Sequence, residues 1–116
     1  MMYVDFNAGN KEYKLRLNTR GVVALEKKLG CNPLTIFGDG DTIPTVTTMV
    51  DIFHASLQAY QHGINIESAF DIFDKWLEDG HTTIEFAEII IEIYKASGIV
   101  PEEVGSTEEA VQSEKN

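Results

Sequence analysis

Residues 2–7 alternate in polarity, with Met2, Val4 and Phe6 on one face and Tyr3, Asp5 and Asn7 on the other. Residues 11–17 alternate likewise, Tyr13, Leu15 and Leu17 being set against Lys14 and Arg16. A period of two marks half-buried strands. Ala8, Gly9 and Asn10 between the two runs supply a turn, so the pattern predicts a β-hairpin. A hairpin alone is marginal in water and must pack on other elements.

From Asn18 onward the period changes to that of a helix. Asn18 or Thr19 can cap a helix reaching Leu29, with Val22, Leu25 and Leu29 as its apolar stripe and Gly30 just past its end. Cys31, Asn32 and Pro33 break the chain, and Leu34, Ile36 and Phe37 are expected to tuck a short connector against the core. Gly38, Asp39, Gly40 and Asp41 read as an exposed loop. Thr42 and Ile43 precede Pro44, which suits the first turn of a second helix. Val46, Met49, Val50, Phe53, Leu57 and Tyr60 then form its stripe, ending near His62 and Gly63. Asn65 caps a third helix, with Ile66, Ala69, Phe70, Phe73, Trp76 and Leu77 on its apolar side and Gly80 closing it. Glu67, Asp71, Asp74 and Glu78 lie opposite as a solvated acidic stripe.

Thr82 and Glu85 form a capping box that opens a fourth helix, running to about Ser97 with Gly98 beyond. Two apolar groups appear along it. Ile84, Ala87, Ile91 and Tyr94 make one; Phe86, Ile89 and Ile93, joined by Ile90, make the other. So apolar a helix is either buried on both sides or shares a face with a partner. Phe86, Ile89 and Ile93 are the candidate partner-binding residues, and an Ile89→Asp, Ile93→Asp double variant would then lose binding while staying folded. Residues 101–116 hold Pro101, several acids and almost no large apolar residue, so they are expected to be a disordered acidic tail behind one globular domain, 1–100. The fold class is α+β, mostly α, an N-terminal hairpin packed on about four helices.

Charge sharpens this picture. The 116 residues carry 9 basic and 19 acidic side chains, a net charge of −10. Binding of nucleic acid or of an anionic membrane through phosphates is therefore not expected. Within residues 1–28 six basic residues face three acidic ones, and the remainder holds three against sixteen. A molecule this polar is expected either to carry solvated faces or to self-associate, with homo-oligomers in view, or to dock on a basic partner. One cysteine, Cys31, excludes an intrachain disulfide and fits a reducing compartment. Neither a basic signal-peptide start nor an apolar run of membrane-spanning length is present.

Chemistry is sparse. His54, His62 and His81 do not stand at the i, i+4 spacing that puts two imidazoles on one metal. Asp39 and Asp41 flank a glycine, but the EF-hand register would put Thr35 first and Val46 twelfth, which fails. Cys31 has no acid–base partner nearby in sequence. Gly-rich phosphate loops and nucleophile elbows are missing from the sequence. No catalytic, metal or cofactor-binding residue is assigned, and the chain is not expected to be an enzyme.

Several segments together resemble one family. They are YVDFN at 3–7, KLRL at 14–17, VALEKKLG at 23–30, NPL at 32–34, HASLQAY at 54–60, DIFD at 71–74, DG at 79–80 and EIYKASG at 92–98. In order and spacing they resemble the tail assembly chaperones of siphophages and prophages of Gram-positive bacteria, encoded just before the tape measure protein. The resemblance implies a non-enzymatic protein that binds the long helical tape measure protein, with the tail tube protein as a further partner. It implies action in the host bacterial cytoplasm and absence from the mature virion. It also implies a frameshifted longer form whose extension would join at the acidic tail. It carries over no site residue. A structural head–tail or tail completion protein is the alternative, and an acidic regulator mimicking nucleic acid is the third reading.

Overall fold

The computed structural model describes residues 2–38 and 42–102. Strands β1 (Val4–Ala8) and β2 (Lys11–Leu15) pair antiparallel, with Phe6 opposite Tyr13 and Val4 opposite Leu15. Ala8 pairs with Lys11, leaving a two-residue turn whose first position is Gly9 at φ 62°. A positive φ there suits the right-handed twist of a hairpin, and glycine adopts it without a Cβ clash. The inward face carries Phe6 and Leu15 into the core, as the alternation predicts, while Ala8, expected in the turn, instead ends β1 and is buried beside them.

Four helices follow, so the molecule is a two-stranded hairpin and a mostly helical body: α1 (Thr19–Leu29), α2 (Val46–Leu57), α3 (Ile66–Glu78) and α4 (Thr83–Ala96). Each begins at a side-chain cap. Asn18 accepts from the Gly21 N–H, Thr45 from Thr48, Asn65 from Ser68 and Thr82 from Glu85. These bonds satisfy amides that have no partner inside the helix.

Two expectations are corrected. Pro44 does not enter the first turn of α2; Thr45 is the cap, and Pro44 is a buried residue before it. The Thr45 hydroxyl accepts the Thr48 N–H, so the cap chemistry sets the boundary two residues after the proline. In the connector, a single 3₁₀ turn over Pro33–Thr35 buries Pro33 and leaves Leu34 exposed. The Pro33 carbonyl accepts the Tyr94 hydroxyl at 2.9 Å, and burial pushes the Tyr94 phenol far above its ordinary value. The expected loop at Asp39, Gly40 and Asp41 and the tail from residue 103 lie outside the described residues.

Helix α2 is the centre, touching α1, α3, α4 and β2. That position explains why Ile52, Ala55 and Ser56 are buried besides the stripe of Met49, Val50, Phe53 and Leu57. The buried Ser56 hydroxyl donates to the Phe53 carbonyl at 2.8 Å, so no polar group is stranded there. Strand β1 packs on α3 and α4. The Arg16 guanidinium donates to the carbonyls of Met2 and Ala96, and the Leu17 N–H donates to the Ser97 hydroxyl at 2.8 Å. The end of α4 is thus fastened beside the start of α1.

Candidate functional site

The trio expected to meet a partner is placed elsewhere by the fold. Phe86 and Ile93 are both 0 % exposed, and Ile89 is half-buried against the same core. The hairpin and α2 take up the second apolar face of α4: Phe86 packs edge-on against Phe6 and Phe53 at centroid distances of 6.2 and 5.8 Å. Of the two readings of this helix, the structure has burial on both sides from Phe86 onward, with Ile84 in the first turn left exposed. An aspartate at position 93 would place a carboxylate in the interior without a partner, so the Ile89→Asp, Ile93→Asp variant would unfold rather than report on binding.

The surface offers a different feature. A groove of about 600 Å³ runs between α1 and α2 and ends at the start of α3. Its floor is small and apolar: Gly21, Ala24 and Leu25 from α1, Ala55 from α2 and Ile66 from α3. Gly21 matters to its shape. A Cβ there would sit 3.3 Å from Asn18 Oδ1, crowding the α1 cap, and 3.5 Å from the Ala55 carbonyl oxygen, an ordinary contact, so it would fill groove space without forcing α1 from α2. Charged and polar groups form the rim, with Arg20 and Lys28 on the α1 side and Asp51, His54 and His62 on the other.

The far end of the groove is held by a local network. Ile64 O accepts from the Gln58 side chain at 2.7 Å and lies 3.0 Å from His54 Nε2. Gln58 Oε1 accepts the Gly63 N–H at 3.2 Å. His54 is thereby committed to the α2–α3 turn. Among the described residues, no group of three or more His, Cys, Asp or Glu side chains could hold a metal ion. What the groove can do chemically is bury apolar side chains between charged edges, the usual make-up of a peptide-helix site.

A second cluster sits at the start of α4. His81 stacks on Trp76, their rings 4.6 Å apart and 5° from parallel. Its Nδ1 lies 2.9 Å from Glu85 Oε2, while Glu85 Oε1 accepts the Thr82 N–H at 3.0 Å. The hydrogen bond from His81, helped by the backbone bond from Thr82, holds the Glu85 carboxyl below its ordinary value. The depressed value means that the ionised capping box favours the folded state above the ordinary carboxylate range. That contribution fades as pH falls through the lowered value. In a His81→Ala variant the Glu85 titration, followed by carboxyl ¹³C NMR, is expected to move up toward the ordinary value. An unmoved titration would show that His81 does not set it. The cluster is a structural cap, and its residues do not line the groove.

Sequence reasoning did not assemble the groove because it comes from three elements and its floor is mostly small. The available signal was Gly21 and Ala24, three apart on α1, a face too small to fill space against its neighbour. No helix of the described residues is long and apolar enough to cross a membrane. The model of DUF6096, a family of unknown function, matches residues 4–114. No curated protein and no solved structure matches the chain.

Proposed function

We propose that this chain, which belongs to the DUF6096 family of unknown function, acts as a tail assembly chaperone that binds the tape measure protein of a phage or prophage. It holds apolar helical surface of that protein in the α1–α2 groove and keeps it soluble until the tail tube forms. The reading comes from the ordered run of segments that resembles such chaperones. The observation that supports a binding role is the groove, with its apolar floor of Gly21, Ala24, Leu25, Ala55 and Ile66 between charged rims. A long helical rod with apolar stripes exposes surface that must be covered reversibly. A shallow groove with few large anchors suits release better than a deep pocket, because large buried aromatic anchors are what make complexes tight. The net charge of −10 keeps the loaded complex from associating further.

Co-expression with the protein encoded immediately downstream tests the reading. The expected result is that the partner is soluble and co-elutes only when this chain is present. A partner that is soluble alone and does not co-elute sinks it. Detection of this chain in purified virions would favour the structural tail component instead.

A further inference from the structure

The described part of the molecule leaves a groove with a cationic edge, and the same sequence supplies an anionic segment rooted beside it. Arg20 and Lys28 line the α1 side of the groove and are both exposed. Residues 103–116 carry Glu103, Glu108, Glu109 and Glu114 against a single Lys115. Val104, Ala110 and Val111 are their apolar side chains, small enough for a floor built of glycine, alanine, one leucine and one isoleucine.

The root of this segment is fixed by the fold. Ser97, the cap of α4, accepts the Leu17 N–H at 2.8 Å, and Leu17 directly precedes Asn18, which lines the groove. Ile99 and Val100 then pack on the core, their N–H groups turned to the Tyr94 carbonyl. Fourteen residues can span at most about 50 Å when extended, and α1, at about 1.5 Å per residue, is some 16 Å long. The segment reaches the whole groove without needing to be taut. The other cationic hollow, lined by Lys11 and Lys75, lies at the opposite end of the hairpin from Leu17 and also holds Asp71. Each hollow sets two cations against one aspartate, Asp51 in the α1–α2 groove and Asp71 in the other, so it is reach that favours the α1–α2 groove.

We infer that residues 103–116 dock in the α1–α2 groove of their own chain, as an intramolecular occupant that a partner must displace. Tethering makes this workable with weak contacts. A short flexible linker gives an effective concentration in the millimolar range, so millimolar intrinsic affinity fills the groove about half the time. Exposed ion pairs are of that modest strength and are screened by salt. Docking is the direct inference; its role as a competitor of the tape measure protein rests on the function proposed above.

Paramagnetic relaxation in the full-length chain tests it. A nitroxide is attached at Ser113→Cys in a Cys31→Ser background, and the amides of ¹⁵N-labelled protein are read at low salt. The expected result is loss of at least half of the signal at Ala24, Asp51 and Ala55 relative to the reduced label, with little loss at Asn7 and Glu12. Arg20→Glu with Lys28→Glu should restore the groove signals, as should about 0.5 M salt, which shortens screening to a few ångströms. Equal, weak broadening over the whole surface would overturn the proposal. Broadening that appears equally when spin-labelled, unlabelled chain is mixed with ¹⁵N chain would overturn it too, since the occupant would then be another copy's segment. The co-expression result is independent of these outcomes, so failure of one reading is separable from failure of the other.

Discussion

Replacing Phe86 by alanine is expected to cost about 3–5 kcal/mol of stability, measured as a lower urea midpoint at unchanged slope. The ring is 0 % exposed and sits among four other aromatic rings. Phe73 lies 5.0 Å away, Phe53 and Trp76 5.8 Å, and Phe6 6.2 Å, all at steep interplanar angles. These come from β1, α2 and α3, so truncation at position 86 opens a void at the junction of four elements. Neighbours held in separate elements collapse poorly into such a void, which places the cost high in its range. Domains of this size are stable by only about 5–15 kcal/mol, so the variant would sit near its unfolding threshold. Phe70 on α3 is the control: it is 44 % exposed, and Phe70→Ala should cost about 1 kcal/mol or less. Similar losses for the two would mean that Phe86 is not the centre of the core.

The second large effect concerns binding. Under the proposed function, Ala24→Asp is expected to weaken capture of the tape measure protein at least about tenfold, which corresponds to about 1.4 kcal/mol. Ala24 is exposed and forms part of the groove floor. A carboxylate there would stand between Arg20 and Lys28, cancel part of the cationic edge and put a polar group where an apolar partner surface must pack, which costs desolvation. The fold should tolerate it, because the helix-propensity loss from alanine to aspartate at an exposed site is below about 1 kcal/mol. Val23, its neighbour on α1, is 43 % exposed and lies outside the groove lining. Val23→Asp should therefore leave capture unchanged. Equal losses from both substitutions would indicate a general charge effect rather than a groove contact.

Local chemistry made most of the fold legible in the sequence. The caps at Asn18, Asn65 and Thr82 and the glycines at 30, 80 and 98 mark helix ends because each acts within a few residues of itself. The start of α2 was harder, since Pro44 and Thr45 both carry start signals and only the backbone decides between them. Faces were less legible than elements. Periodicity reveals that Phe86, Ile89 and Ile93 lie on an apolar side of α4, but not what covers it. The cover comes from Phe6, eighty residues earlier, and from the central α2. The stripes also overstate burial: Ile84 is 61 % and Val46 50 % exposed, both in first turns that overhang the core, and Phe70, expected on the apolar side of α3, is 44 % exposed. The groove was least legible, as Gly21, Ala24 and Ala55 make it by what they fail to fill.

Hydrogen–deuterium exchange on the chain with its proposed tape measure partner, against the chain alone, tests the central claim most directly. The account predicts new protection over residues 20–28 and 51–58, the two walls of the groove, with α3's acidic outer face unchanged. Protection confined to α3 or to the outer face of the hairpin, with those walls exchanging as in the chain alone, would contradict it.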